Sequence, residues 1–464
     1  MAKISRSILG TLMFLSLTGC TNFSQPVSVN PNVSVQKEEP AIVVPEAVKQ
    51  KLAEPGNAQR NDIRKFPYPY EAMLSIASDI DDTTVEEFKQ YHRFLNTKET
   101  TPYGQGVGLD ISDSMFMYMG NDQQVKVDKE GHGMNFVMTY FDGLNPNQIH
   151  NAAQIDYFFK AGWIDSLHGY GDFSRKNTHD ISFNRSLVEK AWQALNQSGI
   201  HPKVLINHGD EANVGNFGGY SPNRVTKYQE GDVPKSPYYN ADLTLKNGIH
   251  YIWNSIAESE FGHDSPIFEI KLRDGQKVWG FHRYTHELKG SQYNWNWSPR
   301  DLHLQLTNQH LDELIKKHQY SILAQHFGGY NLGFPLGEED IKSLRELASY
   351  QEQGKILVAR TSRLLDYSAA QQFVDYTVAH EEGKMWINIK SIKDPIFGVE
   401  EPSIEQVRGL TFYTDDPENT ILLLNLTPIP SSEVQRNKAD SSGKKSISIR
   451  WFAADYTDYT KNAP

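Results

Sequence analysis

The stretch LSIASDIDDTT, residues 74–84, ends an apolar run in three carboxylates, Asp79, Asp81 and Asp82. Acids that close a buried strand are costly to desolvate unless a metal, a proton or a donor compensates them. Two chemistries use such a strand end: an Asp nucleophile, or a pair of Asp acting as base and metal ligand. Three further apolar runs end in polar groups. His168 follows WIDSL, Asn207 and His208 follow VLI, and His326 follows SILAQ. A lone strand-end His is commonly a satisfied structural residue. Several strand ends finishing in Asp or His point instead to a metal site on one face of a barrel.

A scaffold must bring these ends together. VEEFKQYHRFL (85–95), NQIHNAAQIDYFFKAG (147–162), SLVEKAWQALNQSG (186–199), DLHLQLTNQHLDELIKKH (301–318) and EEDIKSLRELASYQEQG (338–354) have helical spacing. The last four lead into WIDSLHG, KVLINHG, SILAQHF and KILVAR; NFVMTYF (135–141) also reads as a strand. Helix followed by strand, repeated, predicts a parallel α/β sheet or barrel. Functional residues then sit at the carboxyl ends of the strands. After Tyr367, MWINIKSI, GLTFYT, NTILLLNLTPI and SISIRWFAADYT run at strand length, and SSEVQRNKADSSGKK reads as a polar loop. They predict a small antiparallel, β-sandwich-like domain over 368–464, which either covers the barrel or binds carbohydrate.

The 464 residues allow two or three domains. Net charge is −11 without basic runs, which argues against nucleic acid as partner. Lys3 and Arg6 precede the apolar ILGTLMFLSL (8–17), which is too short for an ordinary membrane span and ends in LTGC. Cys20 is the only cysteine. Residues 1–20 look like a bacterial lipoprotein signal with Cys20 as the lipidated residue. Thr21 at the next position favours, by resemblance, an outer-membrane anchor facing periplasm or exterior. Residues 21–65, rich in Pro, Val, Asn, Gln and Glu, read as a tether.

SDIDDT fits two patterns. As D-x-D-x-T it is similar to the nucleophile motif of haloacid dehalogenase-like phosphatases, with Asp79 attacking phosphorus and Mg²⁺ holding the phosphate. That class also needs a strand-end Lys and a later acidic pair, and no persuasive set stands out. As a metal-dependent deacetylase strand it supplies Asp79 as base and Asp81 as metal ligand. LHGYGDF then offers His168 and, four residues on, Asp172 as a ligand pair, with His179 and His208 as alternatives to Asp172. SILAQHF offers His326 as general acid.

On SDIDD, LHGYGDF and SILAQHF…GKILVARTSRLLDY, the chain resembles the polysaccharide deacetylase superfamily, the NodB-homology carbohydrate esterases, over 66–367. The resemblance implies a distorted (β/α) barrel and a divalent metal, usually Zn²⁺, held by Asp81, His168 and Asp172. The family usually has His where this chain has Asp172. GVGLDISDSMFMY (106–118) and NHGDEANVGNFGG (207–219) stand outside the pattern as insertions. The implied activity is removal of acetyl groups from a surface polysaccharide, with Asp79 taking a proton from water and His326 protonating the leaving amine. Asn207 and His208 are expected to contact substrate or support the metal. Arg283, in FHRYTH, either holds Asp79, binds a substrate carboxylate or is structural. Asp242 either orients a catalytic group or caps a loop, and Asp82 is expected to sit at a helix N-terminus. The Gly- and Tyr-rich loops NVGNFGGY (213–220) and HFGGYNLGF (326–334) suit an open polymer groove. A non-catalytic polysaccharide-binding relative of the same fold, and a glycosidase using Asp79 and Asp172 as a carboxylate pair, are the alternatives.

Overall fold

The strand that ends at Asp79 is buried along its whole length, and the sheet is built outward from it. In the computed structural model, residues 42–54, 62–122, 137–209, 211–218, 228–255, 257–328 and 334–464 are described. Cys20, the signal-like segment, most of the expected tether and parts of both Gly-rich loops lie outside them.

The strands used here are, in chain order, β1 (Ala72–Ser78), β2 (Ser112–Met115), β3 (Ile164–His168), β4 (Val204–Ile206), β5 (Tyr251–Trp253), β6 (Ile267–Lys271), β7 (Lys277–Phe281), β8 (His286–Lys289), β9 (Gln292–Trp295), β10 (Tyr320–Gln325) and β11 (Ile356–Val358). The main sheet runs β6-β7-β5-β4-β3-β2-β1-β10, with β11 also beside β1. Only β6 and β7 pair antiparallel; the other pairs are parallel. Both faces of β1 are buried, as expected for a parallel strand covered on two sides. The sheet curls into a half-barrel, a mixed α/β architecture. Beyond β7 the chain crosses toward β10, where Tyr284 bridges Leu323.

The longer helices among the described residues are α1 (Glu46–Ala53), α2 (Val85–Asn96), α3 (Ala152–Ala161), α4 (Arg185–Ser198), α5 (Asn308–Lys317), α6 (Glu338–Glu352) and α7 (Thr361–Phe373), with shorter helical turns besides. Helix α2 starts at Thr84, whose hydroxyl accepts from Glu87 N at 3.1 Å while the Glu87 carboxylate accepts from Thr84 N. Such a capping box contributes about 1 kcal/mol. Asp82 is therefore not the cap. It sits two residues earlier at φ 56°, in the turn that redirects the chain from β1 into α2.

Register places the strand ends. Ser78 lies opposite Gln325, so Asp79 and His326 leave the sheet side by side. Ile206 lies opposite His168, so His208 emerges just beyond it.

Several expectations change. NFVMTYF is not a strand: among its described residues only Phe141 belongs to one. GVGLDISDSMFMY, set apart as an insertion, supplies β2, which lies between β1 and β3 in the main sheet. Its polar residues concealed it, yet Asp113 and Ser114 are buried with partners. Ser114 Oγ accepts from Ile80 N at 3.1 Å, and Asp113 pairs with His92 Nε2 at 3.0 Å and accepts from the Tyr91 hydroxyl. The helix expected over 301–318 breaks, and α5 restarts at Thr307, whose side chain accepts from His310 N.

Part of the expected tether is ordered. Val48 and Leu52, one helical turn apart on α1, pack with Ala379, Trp386 and Leu423. The C-terminal strands form two sheets rather than one antiparallel set. In the first, 374–381 and 384–394 pair antiparallel but 420–424 joins parallel. The second holds 411–413, 446–449 and 434–437, the last within the expected polar loop. One apolar cluster joins Met73 and Ile322 to Val374, Ile387, Phe412 and Ile447. Residues 44–464 accordingly form one compact unit. Among the described residues no helix is long and apolar enough to cross a membrane.

Candidate functional site

At the carboxyl ends of β1, β3, β4, β5, β7 and β10 lies a cavity of about 300 Å³. It is lined by Asp79, Asp81, His168, His208, Arg283 and His326, with aromatic walls from Trp253, Trp295 and Trp297. The strand-end residues singled out from the sequence thus meet in one place.

Asp81 is the centre of the first group. Its Oδ2 lies 3.1 Å from His168 Nε2 and its Oδ1 lies 2.7 Å from His208 Nε2. Asp81, His168 and His208 can each turn one ligand atom toward a common ion. The imidazoles are held in place. His168, 3 % exposed, stacks on Phe116 at 5.2 Å. His208 is 2.9 Å from Gly209 O through Nδ1. A proton on Nδ1, donated to that carbonyl, leaves Nε2 free to ligate. Burial opposes a charge on Asp81, but His208 and His168 more than offset it and hold its carboxyl well below the usual range. Burial also opposes a charged His208, yet Asp172 and Asp81 outweigh it and push its pKa up to about 10. Asp81 Oδ2 and His168 Nδ1 are buried without a hydrogen-bond partner. Two imidazoles converging on one half-buried carboxylate, whose Oδ2 is charge-paired with His168 but lacks a well-directed hydrogen bond, fit a divalent ion such as Zn²⁺.

The expected ligand Asp172 is not in this group. Its Oδ1 lies 3.9 Å from His208 Nε2 and accepts from Ser174 N at 2.9 Å, while its other oxygen accepts from Asn121. It acts on His208 through its charge, and His208, expected to contact substrate or support the metal and named as an alternative third ligand, stands in the group that could hold an ion. His179 is exposed and outside the cavity lining. Asn207 is 1 % exposed, and its amide is committed to the loop that follows. Its Nδ2 donates to Phe217 O at 2.8 Å and its Oδ1 accepts from Phe217 N at 3.1 Å. Asp242 pairs with Arg185 at 2.7 Å, away from the cavity lining.

Asp79 forms the second group. Arg283 donates to both its oxygens at 3.1 and 3.0 Å, and to Ala77 O at 2.9 Å. The guanidinium lies over the Trp253 ring at 4.7 Å. Arg283 therefore orients Asp79; it is 1 % exposed yet still borders the cavity. His326 Nε2 lies 3.8 Å from Asp79 Oδ2 and 3.7 Å from Asp81 Oδ2. Its side chain is 27 % exposed, the most open of these groups. Trp297 packs edge-on against the His326 ring at 5.7 Å, and its carbonyl accepts from His326 N.

Sequence reasoning missed the aromatic wall. Trp295 and Trp297 stack at 4.9 Å at the end of the β8–β9 hairpin, both partly open to solvent. The alternation in SQYNWNW, residues 291–297, was the available signal. Comparison with protein-family models, with curated proteins and with solved structures finds no match to this chain.

Proposed function

We propose that the chain is a metal-dependent hydrolase that removes acetyl groups from a cell-surface or extracellular polysaccharide. The observation that carries this reading is the arrangement around Asp81. It is a carboxylate between two imidazoles, with a carboxylate base and an exposed imidazole acid beside it, all at strand ends. Asp81, His168 and His208 would hold the ion. When bound, it supplies Lewis acidity toward the acyl oxygen and toward water.

The remaining work belongs to the protein. Asp79, fixed by Arg283, takes a proton from the attacking water. His326, open to the cavity, passes a proton to the departing amine or alcohol. Trp253, Trp295 and Trp297 give the sugar apolar faces and narrow the access of bulk water. The phosphatase reading of D-x-D-x-T needs a strand-end lysine, and no lysine lines the cavity among the described residues.

The reading brings with it the distorted (β/α) barrel of the polysaccharide deacetylase superfamily over 66–367 and a small C-terminal β domain over 368–464, packed into the same compact unit. The run of parallel strands with acids and histidines at their carboxyl ends supports the first. It also brings a lipid anchor at Cys20 in a bacterial envelope, supported by the LTGC pattern.

The test is metal content together with acetate release from N-acetylglucosamine oligomers, for the unmutated chain and three variants. His208→Ala should lose the ion of this site and all acetate release. Asp172→Asn should keep the ion with affinity reduced on the order of 10- to 100-fold, as for a group that acts through a ligand. Asp79→Asn should keep the ion and lose turnover. Acetate release that survives Asp79→Asn, or metal content indifferent to His208→Ala, overturns the reading.

A further inference from the structure

A second cluster of ligand-type side chains lies at the seam of the curled sheet, where the chain leaving β7 crosses to β10. Arg283 reaches Asp79. His282, one residue earlier, meets Glu258 instead, with His282 Nδ1 at 2.6 Å from Glu258 Oε1. The other oxygen, Oε2, lies 3.8 Å from His263 Nε2. The His263 and His282 rings stack with centroids 3.9 Å apart and planes 8° from parallel. Both rings thus present a nitrogen to one carboxylate.

Two chain segments supply these residues, the connection before β6 and the end of β7, and each of the three residues is pinned to a neighbour. Glu258 N donates to Thr285 Oγ1 at 3.0 Å, and Thr285 N returns to Glu258 O. His263 exchanges both backbone hydrogen bonds with Tyr320, the first residue of β10. His282 N donates to Pro266 O at 3.0 Å. Whatever joins the three side chains therefore ties the segment before β6, the end of β7 and the start of β10.

A plain His–Glu ion pair accounts for only half of the cluster. It uses Glu258 Oε1 and His282 Nδ1, and leaves Glu258 Oε2 and His263 Nε2 buried without a hydrogen-bond partner. A buried acceptor left unmet costs about 1–3 kcal/mol. A single proton between Oε2 and Nε2 would need them at hydrogen-bond distance, and 3.8 Å is too long. A divalent ion, at about 2.0–2.2 Å from each ligand atom, spans such a gap. One nitrogen of each imidazole and one oxygen of Glu258 lie within 4.8 Å of one another.

We propose that Glu258, His263 and His282 form a second divalent-metal site, structural in kind, that clips the seam of the half-barrel. Two imidazoles and one carboxylate suit Zn²⁺ or a similar transition metal. Glu260 Oε2 lies 3.8 Å from His263 Nδ1 and faces the far side of the ring through its charge alone. An ion lies in the plane of each imidazole that ligates it, so binding tilts the two rings out of their stack. The side chains of Glu258, His263 and His282 are 12 %, 16 % and 25 % exposed, so water fills the remaining positions and the ion enters from the surface.

The test counts Co²⁺ bound by the full chain after EDTA treatment and dialysis, by native mass spectrometry and by the visible absorption of Co²⁺. It uses the unmutated protein, His168→Ala, His263→Gln and the double variant. The proposal expects two, one, one and no ions, and a thermal transition in His168→Ala that rises on adding Co²⁺. That rise should vanish in the double variant, whose circular dichroism should match that of His168→Ala. An ion retained by His168→Ala and lost on adding His263→Gln supports the seam site even if the Asp81 centre binds nothing. Loss of all metal in His168→Ala, or a count unchanged by His263→Gln, overturns it.

Discussion

Replacing Arg283 by Met removes a cation from one of the most buried ion pairs in the molecule. Arg283 is 1 % exposed and Asp79 4 %. The guanidinium makes two hydrogen bonds to Asp79, one to Ala77 O, and lies over Trp253. Breaking one partner of a buried pair costs roughly 3–5 kcal/mol, because the other charge is left stranded. Loss of the cation–π contact adds on the order of 0.5–2 kcal/mol. His168 and His326 stand 3.9 and 3.8 Å from the Asp79 carboxylate and can take up part of its charge. The expected loss is therefore about 3–4 kcal/mol, from the lower part of that range. The assay is urea unfolding in EDTA, which removes any contribution of bound metal to the measured stability. Asp79→Asn and the double variant complete a cycle. The double variant should be less destabilised than the sum of the single variants by at least about 1 kcal/mol, since neither then strands a charge. A loss under about 1 kcal/mol for Arg283→Met, or single losses that add within about 0.5 kcal/mol, would refute the claim that Arg283 and Asp79 act as a unit.

Asp440 joins the C-terminal sheet to the segment leading into β1 by accepting from Arg64 Nε at 3.0 Å. Burial opposes its ionisation, but donors from Ser442, Arg64 and Tyr413 outweigh this and hold its pKa at about 2. The stability it contributes is complete above the unfolded value near ~3.9 and is lost as pH falls toward about 2. Asp440→Asn should unfold more readily at neutral pH, with a flatter stability profile between about pH 4 and pH 2; a profile parallel to that of the unmutated chain would count against the link. Trp297→Ala should cost less than about 1 kcal/mol of stability, because the ring is partly exposed. It should raise KM for acetylated oligosaccharides more than it lowers kcat, and an unchanged KM would remove Trp297 from the binding surface.

The strand ends were legible because their chemistry is local. An apolar run that stops at an acid or a histidine identifies the residue without any knowledge of what lies across from it. For this reason Asp79, Asp81, His168, His208 and His326 were all found, and they line one cavity. Strand β2 was hidden for the opposite reason. Its segment was set apart as an insertion, and the partners Tyr91, His92 and Ile80, contributed by other elements, make Asp113 and Ser114 fit to bury. Helix α1 was missed because Val48 and Leu52 make too small a stripe to announce a helix without the sheet it packs on.

The exchange of Asp172 for His208 follows from the same limit. Choosing Asp172 assumed that residues four apart after a strand still point to one place. Between them, Gly169 at φ 51° and Gly171 at φ 144° turn the chain through conformations that favour glycine, and a Cβ at Gly171 would collide with the Tyr118 backbone. Asp172 is carried outward by those turns, into a short pairing with Met119. His208 is forty residues beyond His168 in the chain (208 − 168), yet β4 lies directly beside β3 and Ile206 is registered against His168. Two residues past that register point the chain delivers an imidazole to Asp81, at 2.7 Å. In a parallel sheet the residues that share a site are those that share a level across adjacent strands. A ligand set is therefore better sought one strand over, at the same register, than further along the same loop. Asp81 illustrates why this matters for the acids that end β1: its charge is compensated by an imidazole from β3 and one from beyond β4.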